Sequence, residues 1–212
     1  MIGIIDYGMG NLSSVKNALD FIGTDSVISE DMDVLSKCDG LILPGVGAFP
    51  DAAKKLKETG LDTFVKDYVK TRPLLGICLG MQLLFDKSYE FGECGGLSLV
   101  KGEVVKLTAY ENDPSYLIPH MGWNSLSFTE SGKASPLLSQ IKEGDFVYFV
   151  HSFKADKMND SDLLAFSEYG ERIPALVTDG KNVFGAQFHP EKSEKVGLSI
   201  LKSFCSLVSG QR

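Results

Sequence analysis

Three side chains in this sequence have the types and settings for nucleophilic catalysis. Cys78 stands in Gly76-Ile77-Cys78-Leu79-Gly80, directly after the apolar Leu74-Leu75 and before a helical pattern of Met81, Leu83, Leu84 and Phe85. Glycine two positions before and two after a cysteine, between a strand and a helix, is the spacing of a nucleophile elbow. The turn is so tight that its flanking residues must lack bulk, and glycine takes backbone angles that other residues avoid. Such a turn lifts the sulfur above the sheet edge and sets it at a helix N-terminus, where free backbone N–H groups favour negative charge. The thiol then needs a base, and the chain offers His120, His151 and His189. His189 carries its own orienting group in His189-Pro190-Glu191. In an extended segment residues i and i+2 point to one side, and Pro190 fixes the backbone between them and disfavours helix. Glu191 can therefore hold the imidazole in the tautomer that turns its other nitrogen to a thiol. Nucleophile, base and orienter in the order Cys78, His189, Glu191 describe cysteine-dependent acyl chemistry.

These residues need a scaffold that brings distant segments together. Ile2 to Ile5 reads as a buried strand, followed by the glycine turn Tyr7-Gly8-Met9-Gly10-Asn11. A helix comes next, with Leu12, Val15, Leu19 and Ile22 on one face and Gly23 at its end. Strand, glycine turn and helix open a doubly wound α/β sheet. Gly8-x-Gly10 lacks the third glycine of a dinucleotide fingerprint, so a loop meeting a ligand or a partner is expected there. Further strands are read at Ser26–Ile28 and Gly40–Leu43, the latter ending in Pro44-Gly45-Val46-Gly47, a turn able to aim backbone N–H groups at an anion. Asp31–Lys37, Ala52–Lys57 and a stretch from Leu61 to Val69 read as helices, and Pro73–Ile77 as the strand that feeds the elbow. The elbow helix is expected to run to about Lys87.

From Leu97 the pattern changes to short strands at 97–100, 103–107, 125–128, 146–150, 163–166, 175–177 and 183–186. They read as an antiparallel or mixed extension of the first sheet, before a last helix over about 194–208. The expected fold is α/β: a central mixed, mostly parallel sheet flanked by helices, with an added antiparallel portion. Residues 1–212 read as one integrated domain, with no linker or low-complexity segment.

The net charge of −7, with no lysine- and arginine-rich run, argues against a nucleic-acid partner. No apolar stretch has the length to cross a bilayer, and Met1-Ile2-Gly3-Ile4-Ile5-Asp6 reads as a strand rather than a signal peptide. The four cysteines are scattered, with no C-x-x-C pair, which disfavours a metal centre or a disulfide framework and fits a reducing cytoplasm. No cofactor is expected.

Gly76-Ile77-Cys78-Leu79-Gly80-Met81-Gln82 together with Phe188-His189-Pro190-Glu191 resembles the class I glutamine amidotransferases. Tyr7–Asn11, Pro44–Gly47, Pro119-His120-Met121-Gly122-Trp123-Asn124 and Tyr148-Phe149-Val150-His151-Ser152 narrow the resemblance to the branch that feeds ammonia to a cyclase in histidine biosynthesis. The resemblance implies that Cys78 attacks the side-chain amide of L-glutamine, that His189 moves the protons, that Glu191 orients His189, and that a glutamyl thioester is hydrolysed to glutamate. It assigns the oxyanion to the backbone N–H groups of Leu79 and Val46, the latter turning inward first. Gly47, Gln82, Glu90, His151, Ser152 and Phe153 match substrate-contacting positions, although family members commonly carry threonine and tyrosine where Ser152 and Phe153 stand. The implied partner is a HisF-type (β/α)8-barrel cyclase in a heterodimer, with Asn11, Trp123, Tyr148 and Lys192 at the interface. That cyclase would form imidazole glycerol phosphate and an aminoimidazole carboxamide ribonucleotide. Paralogues with the same motifs supply ammonia for amidination of a surface-polysaccharide sugar, and the motifs do not separate the two routes. A lone cysteine peptidase or amidase, and a scaffold that kept the fold without chemistry, are the readings outside the family.

Overall fold

The computed structural model describes residues 1–210 of the 212-residue chain. The strands in chain order are β1 (Ile2–Ile5), β2 (Ser26–Ser29), β3 (Gly40–Gly45), β4 (Leu74–Cys78), β5 (Lys87–Ser88), β6 (Cys94–Gly95), β7 (Glu103–Lys106), β8 (His120–Ser125), β9 (Ser127–Phe128), β10 (Phe146–His151), β11 (Phe153–Asp156), β12 (Leu163–Glu168), β13 (Arg172–Thr178) and β14 (Val183–Ala186). The helices are α1 (Leu12–Phe21), α2 (Met32–Leu35), α3 (Phe49–Thr59), α4 (Leu61–Tyr68), α5 (Leu79–Gln82), α6 (Ala109–Asn112), α7 (Glu130–Lys133) and α8 (Glu194–Gly210).

The central sheet runs β2-β1-β3-β4-β14-β13-β12-β9. Its first five strands are parallel, and β13, β12 and β9 continue it antiparallel. Of the parallel strands, β1, β3, β4 and β14 are buried on both faces, which is why they read as apolar runs rather than alternating ones, while the edge strand β2 is only half-buried. Ile4, Ile42, Leu75 and Ile77 pack into one core with Val15 and Leu19 of α1 and Ile200 and Phe204 of α8. Ile5, Leu41, Leu43 and Leu74 point the other way, against Leu56 of α3 and Val65 of α4. Each fully buried side chain of this size contributes about 1.5–3 kcal/mol, and these two layers hold the strand ends in register.

The second half does not simply extend the first sheet. Besides the edge strands there are two separate small sheets, the antiparallel pair β10-β8 and the four-stranded β11-β7-β5-β6. The elbow helix stops at Gln82 rather than near Lys87, because the carbonyls that would continue it are taken elsewhere. Leu83 O accepts from Leu97 N–H at 2.8 Å, Leu84 O from Leu99 and Val100 N–H at 2.8 and 3.0 Å, and Phe85 O from Ser98 N–H at 3.1 Å. Residues 97–100, expected as a strand, are therefore the loop that caps this turn, with Ser98 at φ 54°. Among the described residues no helix is long and apolar enough to cross a membrane.

Candidate active site

Strands β3, β4 and β14 end side by side at the carboxyl edge of the parallel sheet, where α/β folds place their sites. Gly45 is opposite Cys78 in the β3–β4 register, and Ala186 of β14 is opposite Ile77. The elbow forms as its spacing requires. A Cβ on Gly80 would lie 1.8 Å from the Leu43 carbonyl oxygen, and one on Gly76 would lie 2.6 Å from the Gly80 oxygen. Cys78 itself is bent to φ 55°, ψ −111°, a conformation that costs a non-glycine residue roughly 1–3 kcal/mol. The residue is 8% exposed, and its sulfur lies 3.8 Å from the Val150 carbonyl. The helix after it is a single turn, so the local influence on the thiol comes from a few nearby N–H groups rather than from a long helix dipole.

The chain leaves β14 through Gln187 and Phe188 and delivers His189 beside the elbow. His189 N–H donates to the Tyr148 carbonyl at 2.9 Å, and Ser193 Oγ donates to the His189 carbonyl at 2.7 Å, so the backbone is held from both sides. Its Nδ1 is 2.8 Å from Glu191 Oε1, with both side chains almost wholly buried. The route differs from the extended segment expected from sequence: Pro190–Lys192 is a 3-10 turn with Pro190 at its first position. Proline favours that first position, where its missing N–H and preset φ cost nothing, and the turn swings the carboxylate back to the ring. With Nδ1 bound to Glu191, Nε2 faces Cys78. Burial by itself would lower the His189 pKa, but hydrogen bonds to Cys78 and Glu191 and their charges outweigh it and push it up to about 9. The ring therefore carries a proton at neutral pH.

One cavity of about 380 Å³ gathers the predicted residues. Cys78, His189, Val46, Leu79, Gly47, Gln82, Glu90, His151, Ser152 and Phe153 all line it, and Lys192, expected at an interface, lines it too. Glu191 is not part of the lining and stands behind His189, bonded to its Nδ1. Several wall residues are already engaged. Glu90 Oε2 accepts from Phe49 N–H at 2.7 Å, at the start of α3. Gln82 Nε2 donates to the Phe153 carbonyl at 2.9 Å and to Gln187 Oε1 at 3.1 Å. His151 Nδ1 lies 2.9 Å from the same Phe153 carbonyl and must donate to it. Its Nε2 then accepts, so His120 Nδ1, 3.1 Å away, is the donor, and His120 Nε2 faces Asn124 Nδ2 at 3.4 Å. Burial pushes the His120 pKa down to about 4 and, together with the charge of His120, that of His151 to about 3. Both rings are therefore neutral, with defined tautomers.

The remaining predicted residues lie outside the cavity. Trp123 and Tyr148 face each other across the β8–β10 pair, ring centroids 6.0 Å apart and edge to face, and Trp123 is 47% exposed. Met121, two residues before Trp123, and Phe146 are exposed beside it. Asn11 is half-buried at the start of α1, with no side-chain capping bond. Ser193, Gln187 and His120, which hydrogen-bond to His189, Gln82 and His151, carried no site signal in the sequence beyond the motifs that contain them, the last two because their contacts join distant segments. Among the described residues no three His, Cys, Asp or Glu side chains cluster so as to hold a metal ion.

The chain is similar to known proteins over nearly its whole length. The family described as glutamine amidotransferase class-I matches residues 4–206. The chain is 52% identical over 210 residues to the imidazole glycerol phosphate synthase subunit HisH of Halalkalibacterium halodurans, covering 98% of this chain and 96% of that one. It is 51% identical over 214 residues to the protein of the same name from Bacillus subtilis, covering 100% and 99%. Among solved structures it is similar to a glutamine amidotransferase with a TM-score of 0.74 at 20% identity, over 98% of both chains. It is also similar to a chain of PurLQS from Thermotoga maritima with a TM-score of 0.69 at 20% identity, over 98% of both chains. At those identities the structural likeness speaks to the fold alone.

Proposed function

The chain belongs to the class I glutamine amidotransferase family, within its HisH group, and from that premise we propose that it hydrolyses L-glutamine and hands the ammonia to a HisF-type (β/α)8 cyclase. The observation that carries this reading is the arrangement of His189, with Glu191 Oε1 2.8 Å from Nδ1 and Cys78 on the other side of the ring, in a cavity open to a small molecule.

Cys78 sulfur attacks the side-chain carbonyl carbon of glutamine. The oxyanion is received by the Leu79 N–H and by the Val46 N–H once that peptide turns inward, each donor being worth about two to three powers of ten in rate. His189 passes its proton to the departing nitrogen, and ammonia leaves a glutamyl thioester. Water deprotonated by His189 then attacks the thioester, releasing glutamate and restoring the thiol. Glu191 keeps His189 in one tautomer and stabilises its charged form throughout. Gly47, Gln82, Glu90 and the 151–153 segment form the walls that hold the substrate, Glu90 through the α-amino group. Asn11, Trp123, Tyr148 and Lys192 bear on the partner; an exposed Trp with Met and Phe neighbours suits an interface anchor. The HisH name carried by the relatives at about half identity supports histidine biosynthesis over amidination of a surface sugar. The test is glutamate release from glutamine by the chain with its cyclase partner and acceptor present, and its loss in Cys78→Ala. Retained turnover in that variant would remove Cys78 from the mechanism, while ammonia transfer only with a sugar-modifying partner would move the chain to the other route.

A further inference from the structure

Tyr7 is buried to 4% exposure, and its hydroxyl has no hydrogen-bond partner. An orphaned buried hydroxyl loses its bonds to water and gains nothing in return, so its retention beside a reactive centre needs a reason. Its surroundings supply one. A Cβ on Gly45 would lie 2.8 Å from the Tyr7 hydroxyl, 2.7 Å from the Gly80 nitrogen and 2.9 Å from Leu79 Cβ. The hydroxyl is thus pressed against the last residue of β3, level with Cys78. The contact belongs to a longer seam. A Cβ on Gly10 would meet Pro44 Cγ at 3.2 Å, and one on Gly47 would meet Met9 Cε at 3.0 Å. The turn after β1 therefore braces the end of β3 and the turn that follows it at three points, Pro44, Gly45 and Gly47. Burial and the nearby charge of Cys78 hold the Tyr7 phenol well above its ordinary pKa, so it remains a donor at any working pH.

The Gly45–Val46 peptide, at the end of β3, is the unit that must turn if Val46 is to serve as an oxyanion donor. It follows a residue without a side chain and precedes Gly47 at φ +98°, and Val46 is 42% exposed. A peptide unit is rigid, so rotating it to aim the Val46 N–H into the cavity swings the Gly45 carbonyl the opposite way. That carbonyl needs a donor where it arrives.

We propose that Tyr7 is a positioning residue for the oxyanion site: its hydroxyl, unpartnered at rest, donates to the Gly45 carbonyl when the Gly45–Val46 peptide turns, and so stabilises the state in which the Val46 N–H faces the substrate. This rests on the assignment of Val46 as an oxyanion donor. The orphaned bond penalises the resting state and is relieved in the turned one, which biases the equilibrium between them.

Tyr7→Phe removes the oxygen and keeps the ring. In the complex with the cyclase partner, its kcat for glutamine hydrolysis is expected to fall about tenfold, the loss of one neutral hydrogen bond of roughly 1.4 kcal/mol. KM for glutamine should hold, and so should the rate of alkylation of Cys78 by iodoacetamide, which needs no oxyanion site. The melting temperature of the resting chain should stay level or rise, because an unsatisfied hydroxyl has been removed. Unchanged kcat, or a lower melting temperature with alkylation slowed in proportion to kcat, would overturn the proposal. Cys78→Ala run alongside separates the two levels: turnover without Cys78 defeats the underlying reading, whereas full turnover in Tyr7→Phe with Cys78→Ala inactive defeats only the role of Tyr7.

Discussion

Glu191→Gln tests the charge relation at the centre of the site. The substitution keeps the length of the side chain and an oxygen able to accept from His189 Nδ1–H, but removes the negative charge. The rise of the His189 pKa from 6.5 to about 9 corresponds to ~3 kcal/mol in favour of the imidazolium, shared between Cys78 and Glu191 and net of the burial that opposes it. A charge-assisted hydrogen bond contributes about 1.5–3 kcal/mol of that. If the imidazolium is present in the transition state, kcat should fall about 10- to 150-fold. The stability effect has a definite pH signature. A raised folded pKa contributes stability that is fully present below the unfolded value of 6.5 and is lost as pH rises through about 9. The difference between wild type and variant should therefore be largest near pH 6 and shrink towards pH 10. A constant offset remains, because Glu191 Oε2 is buried without a partner and the amide nitrogen placed there would be an unsatisfied donor. Urea denaturation at pH 6, 8 and 10 with both proteins gives the curve, and glutamate release in the complex gives kcat. A stability difference independent of pH, or unchanged turnover, would refute the assignment of the raised pKa to Glu191.

Two further outcomes follow from contacts already described. Gly80→Ala should cost more than about 4 kcal/mol or yield no folded protein, because the new methyl would stand 1.8 Å from the Leu43 carbonyl oxygen, a backbone atom of β3; a soluble variant with wild-type melting would contradict the packing of the elbow. His120 and His151 are neutral in the fold, with pKa values lowered from 6.5 to about 4 and about 3, so stability present above pH 6.5 should be lost as pH falls through those values. His120→Phe should make that acid limb shallower by roughly 1.4 kcal/mol per pH unit, measured by denaturation between pH 6.5 and 4; an unchanged slope would show that His120 is already protonated.

Much of the site was readable because each of its signals is local. The glycines around Cys78 are dictated by how closely the backbone folds over at the elbow, and Glu191 can reach His189 because only Pro190 separates them. Strands β1, β3, β4 and β14 are legible because both their faces are buried, which leaves no polar alternation to blur them. The helix after Cys78 is shorter than its apolar pattern predicts, for the opposite reason. Leu83, Leu84 and Phe85 have a helical apolar pattern, but their carbonyls are claimed by N–H groups of residues 97–100, a competition that no local propensity expresses. The same holds for β8 and β11, whose strand character comes from partners far along the chain.

The amino-acid order alone determined the chemistry on offer: a thiol on a turn that only glycine neighbours permit, and an imidazole with its carboxylate two positions away. It also determined the sheet type, since apolar runs of that length bury themselves on both sides. The tertiary structure decided that sulfur and imidazole meet although they lie far apart along the chain, which required β4 and β14 to become neighbours in register. It also decided which donors and acceptors near them are satisfied: His151 is locked to His120, Glu90 is tied to Phe49, and the Tyr7 hydroxyl is left without a partner. Hydrogen-bond satisfaction is a property of closed three-dimensional surroundings, and sequence carries it only where both partners lie within a turn of each other.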